Sequence, residues 1–252
     1  MLPTDSPPLQ ILAIGAHPDD VEISCGGTMA LASAQGYSVG ILDLTRGELS
    51  TNGTPEERAA EAAEAARILG VPLRRNAGLP DGGIDARDPD QVRCVAGFLR
   101  ALRPLVLLAH FPQDRHPDHV EASRLVDRAS YLAGLRRFSA EGEPYRPEVR
   151  YFFASRVGFA PSFVVDIGAQ WDAKRRAILS HRSQVIRNGK DSRHTPLNDP
   201  DFMDRIEARA RHFGSQIGVR YGEPFRSTEP IGIRSLEALL RSAHPKPGSF
   251  TG

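Results

Sequence analysis

QILAIGAH, residues 10–17, is a short apolar run that ends in a polar cluster, and AHPDDVE, residues 16–22, spells that cluster out. The run suits a strand buried on both faces better than a helix. GGTMALASAQG follows it: Gly26 and Gly27 allow a tight turn, and the Ala-rich stretch after them predicts a helix that stops near Gly36. The order then repeats. YSVGILDLTRGE predicts a second strand with Asp43, Arg46 and Glu48 at its carboxyl end. TPEERAAEAAEAARILG predicts a helix with Thr54 as N-cap, Pro55 at N1, Glu57 closing a capping box and Gly70 as terminator.

The alternation continues through a helical stretch from Pro89 to Leu102, the apolar run PLVLLAH (104–110) and a helix beginning near His119. RYFFAS and PSFVVDI predict two later strands, followed by helices near 170–183 and 200–218. This pattern predicts an α/β fold, a Rossmann-like, mostly parallel sheet with helices on both faces. A chain of 252 residues with 40% hydrophobic content can bury one sizeable core, which predicts a single domain over 1–252. VIRNGKDSRHTPLNDP, rich in turn formers and charge, predicts a mobile loop over 186–200, and the Pro- and Gly-rich end predicts a frayed tail over 244–252.

Thirty-two basic against 31 acidic residues leave a formal net charge of +1, so no global field favours nucleic acid or an anionic membrane. The first residues, MLPTDSPPLQ, lack a basic segment and an apolar core, and no apolar run approaches membrane-spanning length; the expectation is a cytoplasmic protein. Cys25 and Cys94 make neither a disulfide framework nor a four-thiolate zinc site.

Ligands of open α/β sheets bind beyond the carboxyl ends of the strands. Two such ends here carry clustered His and Asp: His17, Asp19 and Asp20 after the first strand, and His116, Asp118 and His119 soon after PLVLLAH. If both strands are central and parallel, the two clusters meet in space. Asp20 follows His17 by three residues, so one tight turn can aim both at a common point while Asp19 projects elsewhere. With His119 they make a His, Asp, His set that leaves positions for water and substrate, as catalytic zinc requires. A divalent cation also offsets the repulsion between the adjacent aspartates. Asp118 either caps the helix that follows or orients a catalytic histidine.

AHPDDVE and HPDH together resemble the LmbE-like, or PIG-L, family of zinc-dependent N-acetylglucosamine deacetylases. The likeness extends through DLTRGELSTNGTPEERAAEA (43–62), AGLPDGGI (77–84), PSFVVDI (161–167), AILSHRSQ (177–184) and GVRYGEPF (218–225), and is similar to the bacillithiol-biosynthesis branch. The resemblance implies zinc, or iron(II) or another divalent metal, on His17, Asp20 and His119, with Asp19 as general base and a protonated His116 at the oxyanion. It implies Arg58 as a substrate-binding arginine, N-acetylglucosaminyl-malate as substrate and a homohexamer built from trimers. Arg46 and Glu48 either contact sugar hydroxyls or pair with each other. His110, His212 and His244 read as structural.

Alternatives stay open at this point. N-acetylglucosamine joined to inositol, lipid or further sugar would use the same metal chemistry. Two histidines and a carboxylate are also the ligands of nonhaem iron oxygenases. Asp19 argues against that reading, because hydrolysis needs a second carboxylate beside the metal and oxygen chemistry does not. A non-enzymatic sugar-binding protein is the third reading.

Overall fold

The first strand sits at the centre of the molecule because its side chains alternate between two separate cores. In the computed structural model, which describes residues 8–155, 157–186 and 192–233, β1 (Ile11–Gly15) sends Leu12 and Ile14 into one buried cluster and Ala13 into another. The first cluster draws on α3 (Pro89–Leu102) and α4 (Pro117–Ala133), through Val95, Leu99 and Leu125. The second draws on α1 (Asp20–Ala34), α2 (Pro55–Leu69) and α5 (Trp171–Ser180), through Met29, Leu69 and Ala177. A strand covered on both faces can be apolar throughout, and β1 is.

The remaining strands are β2 (Val39–Thr45), β3 (Leu73–Leu79), β4 (Val106–His110), β5 (Val149–Phe153), β6 (Phe163–Asp166) and β7 (Gly222–Arg226). They form one seven-stranded sheet in the order β3-β2-β1-β4-β5-β7-β6. The strands from β3 across to β5 run parallel, and β7 pairs antiparallel with both β5 and β6. The direction in which the chain adds strands reverses between β1 and β4, the crevice where such sheets bind ligands. Among the described residues no helix is long and apolar enough to cross a membrane.

Several boundaries differ from the sequence expectation. β3 and β7 are absent from it, because LRRNAGL is polar and GEPFR carries Gly and Pro, so neither shows an apolar run. The stretch near 170–183 divides at His181 into α5 and a short α6 (Arg182–Val185), and the last helix, α7, spans Phe202–Gln216. α4 begins at Pro117, ahead of His119. The capping box of α2 is present, with Thr54 and Glu57 exchanging bonds and Gly70 left-handed at φ 69°. Of the loop expected over 186–200, residues 187–191 lie outside the described residues, as does the tail 244–252.

α1 departs most. It starts at Asp20, so Gly26 and Gly27 lie inside it rather than in a turn before it, and it kinks at Cys25. The kink frees the Ile23 carbonyl and the Gly27 and Thr28 amides, which need other partners. Lys174 Nζ and Arg209 Nη2 each donate to Ile23 O at 3.0 Å. The Glu223 carboxylate accepts from Gly27 N at 2.9 Å and Thr28 N at 2.6 Å, and is ion-paired with Lys174. Gly27 must also lack a side chain: a Cβ there would lie 2.8 Å from Ile167 Cδ1.

Glu223 and Lys174 are both buried, so removing one partner strands the other. Glu223→Ala should lower unfolding stability by about 3–5 kcal/mol, read as a shifted urea midpoint. A change below about 1 kcal/mol would mean that the kink does not depend on this pair.

Candidate metal centre

A cavity of about 660 Å³ opens at the crevice between β1 and β4. Its floor is built from the two strand ends: His17, Asp19 and Asp20 follow β1, and Asp114, His116 and His119 follow β4. The turn after β1 is tied by His17 N, which donates to Asp20 Oδ2 at 2.8 Å.

Asp20 is the hub. Its carboxylate lies 3.4 Å from His17 Nδ1, 3.2 Å from His119 Nε2 and 3.2 Å from His110 Nε2. Burial alone would raise its pKa, but His119 and His110 hold it well below the usual carboxylate range. The far nitrogens of the same rings face other carboxylates: His17 Nε2 donates to Asp81 Oδ1 at 3.0 Å and approaches Asp118 Oδ2 at 3.3 Å, and His119 Nδ1 lies 3.3 Å from Asp114 Oδ1.

Asp19 points away from this hub. Its backbone sits at φ 126°, a conformation that L-residues rarely adopt and that carries strain of roughly 1–3 kcal/mol where it persists. Its Oδ2 accepts from Arg58 Nη2 at 3.2 Å. Burial pushes its pKa up, and the Arg58 charge opposes that rise. Arg58 is itself 3% exposed and also donates to Pro18 O at 2.6 Å, to Gly47 O at 3.3 Å and to Ser50 Oγ. Gly47, left-handed at φ 68°, admits this guanidinium, since a Cβ there would overlap Arg58 Nη1. Arg58 lines the cavity, and these bonds tie it to the Asp19 turn.

His116 is the N-cap of α4, its Nδ1 accepting from Asp118 N at 3.2 Å. Asp118 is thus inside the helix and not its cap; its Oδ2 also accepts from Gly82 N at 2.7 Å. Three more residues complete the site: His110, which reads as structural from the sequence, and Asp81 and Asp114, which were not among the expected site residues. His110 is buried, stacked on His119 with ring centroids 4.1 Å apart, and donates from Nδ1 to Ser155 Oγ at 3.1 Å. Asp81 comes from AGLPDGGI, a segment that carried part of the family resemblance and so held the signal. Asp114 closes the back of His119 and fixes the approach to His116, whose backbone N–H it accepts at 3.0 Å.

Three donor groups form here: His17, His116 and His119; Asp20, His110 and His119; and His17, Asp81 and Asp118, the ligand atoms of each lying within 4.8 Å of one another. The expected set, His17, Asp20 and His119, bridges the first two. The surrounding carboxylates test its fit. Although burial opposes it, Asp118, Asp20 and Asp81 raise the His17 pKa well above its ordinary value, and Asp20 and Asp114 raise that of His119 to about 9. The floor therefore draws positive charge. A divalent cation on these donors would supply it and would leave both imidazoles neutral, as ligands must be, with Asp81 and Asp114 placed to receive their outer N–H groups.

Arg46 and Glu48 stand outside the cavity lining. Glu48 braces the rim, accepting from Arg46 N at 3.2 Å and from Asp81 N at 3.0 Å. Arg115 lines the cavity, is exposed, and has no hydrogen bond or ion pair to any described residue. One wall is apolar, formed by Ile23, Leu197, Phe202 and Ile206.

Comparison with known proteins adds relatives to this geometry. Residues 12–130 match the family described as "PIG-L: GlcNAc-PI de-N-acetylase". A 1D-myo-inositol 2-acetamido-2-deoxy-alpha-D-glucopyranoside deacetylase of Segniliparus rotundus is 30% identical over 239 residues, covering 80% of this chain and 70% of the relative. Diacetylchitobiose deacetylase of Thermococcus kodakarensis is 28% identical over 233 residues, covering 86% and 82%. The crystal structure of the conserved protein TT1542 from Thermus thermophilus superposes with a TM-score of 0.82 at 47% identity, covering 89% of this chain and 97% of that one. The family match runs from β1 into α4 and so takes in both strand-end clusters, and with relatives at this identity and coverage the chain belongs to the PIG-L, or LmbE-like, family of N-acetylglucosamine deacetylases.

Proposed function

We propose that this protein hydrolyses the acetamide of an N-acetylglucosamine conjugate with a divalent metal, zinc foremost, on His17, Asp20 and His119, and Asp19 as general base. One observation carries the reading. Asp19 and Asp20 are adjacent, yet Asp20 faces three imidazoles and Asp19 faces Arg58, so one carboxylate can serve a cation while the other stays free for proton transfer. Glu22, an alternative base by its place in the same sequence motif, is fully buried against Arg74 and His181 and does not line the cavity.

A divalent cation at this site supplies Lewis acidity toward the acetamide carbonyl and makes water acidic near neutral pH. The residues do the rest. Asp19 takes the proton of the attacking water, whose oxygen bonds to the carbonyl carbon while negative charge grows on the carbonyl oxygen. His116 stabilises that charge as a neutral donor rather than as the expected imidazolium. Its Nδ1 already accepts the Asp118 amide, which puts the ring proton on Nε2, and burial with the nearby His17 lowers its pKa. Asp19 then passes its proton to the nitrogen as the C–N bond breaks, releasing acetate and the free amine. Arg58 fixes the Asp19 carboxylate for both transfers.

The preferred conjugate carries a carboxylate, as N-acetylglucosaminyl-malate of bacillithiol biosynthesis does. Arg115 supports this more than Arg58 does: it is an uncommitted guanidinium on the rim, suited to paired bonds with a carboxylate. The named relatives act on inositol and chitobiose conjugates, which lack that charge, and they supply the competing substrates for a test.

Asp19→Asn should keep its metal, measured by elemental analysis, while turnover falls by roughly two to four orders of magnitude. Turnover near that of the parent would place the base elsewhere. In a substrate panel, the malate conjugate should be preferred over free N-acetylglucosamine by at least about tenfold in kcat/KM, equal to about 1.4 kcal/mol. Arg115→Ala should erase most of that preference, whereas Arg58→Ala should lower kcat on both substrates and leave their ratio. The reverse pattern would restore Arg58 as the substrate reader.

A further inference from the structure

The cavity has two rims that come from distant parts of the chain, and the Asn52 side chain joins them. Leu49, Ser50 and Thr51, on the loop leaving β2, line one side, and Thr195, Pro196 and Leu197 line the other. Asn52 directly follows the first group. Its Nδ2 donates to Arg193 O at 3.0 Å and its Oδ1 accepts from Arg193 N at 2.9 Å, so one carboxamide satisfies both backbone polar groups of a residue 141 positions away. The segment beyond is braced on itself: Asn198 Nδ2 donates to Arg193 O at 2.8 Å, and Asn198 Oδ1 accepts from Thr195 N at 2.8 Å. Asn52 is held in turn, its carbonyl accepting from Gln184 Nε2 at 2.7 Å.

These bonds bear on one member of the apolar wall, Leu197, which lies between Thr195 and Asn198. Leu197 packs with Phe202 and Ile206 of α7 in one cluster, and all three reach the cavity. No group on the floor comes from this segment; Asp19 and the donors lie at or beyond the ends of β1, β3 and β4. A segment that gives the floor no group is free to meet the part of a conjugate beyond its acetamide.

We propose that Asn52 is a positioning residue for specificity: by clamping the Arg193 backbone it sets Thr195–Leu197 as the wall that reads the conjugate beyond its acetamide. This rests on the deacetylase reading above. A tie that only stabilised the loop would change unfolding and leave substrate discrimination alone. A tie that positions the wall acts on binding of the distal group, so it moves KM for a conjugate and spares the chemical step.

The test uses the full chain with its metal, as parent, Asn52→Ala and Asn52→Asp. Acetate release is measured on free N-acetylglucosamine and on N-acetylglucosaminyl-malate or diacetylchitobiose, whichever conjugate the parent turns over faster. Trypsin cleavage after Arg193 is followed by mass spectrometry. With two hydrogen bonds lost, KM for the conjugate should rise about fivefold or more in Asn52→Ala, with kcat within about twofold and KM for the free sugar within about twofold. Cleavage after Arg193 should quicken by about tenfold. Asn52→Asp, of equal size but with an oxygen set against the Arg193 carbonyl, should behave as the alanine variant. Parent-like cleavage in both variants would show that Asn52 holds nothing in place. Faster cleavage with an unchanged KM would show that the wall does not read the conjugate, and either result overturns the proposal. A parent that releases acetate from no substrate would instead overturn the deacetylase reading, and the cleavage pattern would still decide the clamp.

Discussion

Two neighbouring carboxylates, Asp19 and Asp20, must face different partners, and the backbone between them is bent to allow it. With ordinary torsions both would compete for the same cluster of imidazoles. At φ 126° Asp19 turns toward Arg58 instead, and the Arg58 guanidinium holds it there through bonds to Asp19 Oδ2 and Pro18 O. Strain of this kind persists only where the surroundings over-determine it. Here they do: the turn is closed below by His17 N on Asp20 Oδ2 and opposed by a guanidinium with four acceptors.

The sheet order then brings the second cluster to the first. β1 and β4 are hydrogen-bonded neighbours whose onward connections lead to opposite sides of the sheet, so His17 to Asp20 and Asp114 to His119 meet over one crevice. Beyond that crevice the fold accommodates two further demands. The kinked α1 presents Ile23 and Ser24 to the cavity, and its freed backbone groups are taken by Lys174, Arg209 and Glu223. A second buried set, Glu22, Arg74, Asp43 and His181, lies behind the turn. Arg74 bridges Asp43 at 2.7 Å and pairs with Glu22, which keeps Glu22 out of the chemistry.

Much of this was legible in the sequence where the cause is local. β1 and β4 are apolar because both faces are covered, and the box at Thr54 and Glu57 lies within one turn. His17, Asp20 and His119 could be grouped because the strand pattern predicts which ends coincide. What escaped depends on partners far along the chain. β3 looked unlike a strand because Arg74 is there for Asp43 and Glu22, which lie 31 and 52 residues away. His110 looked like the end of an apolar run, yet its Nε2 accepts the Ala16 amide 94 residues earlier and touches Asp20. For Arg58, only the packing around Gly47 and Pro18 reveals that Nη1 and Nη2 bond to protein oxygens, while Nε finds no partner among the described residues.

The proposed chemistry requires one divalent cation on His17, Asp20 and His119, within the carboxylate-rich floor. Anomalous diffraction from crystals of the zinc-loaded protein, collected on both sides of the zinc edge, tests it directly. One strong peak per chain is expected in contact with His17, Asp20 and His119, with Asp19 beside it but outside bonding distance. A peak on His17, Asp81 and Asp118 instead, or a metal bound by Asp19, would contradict it.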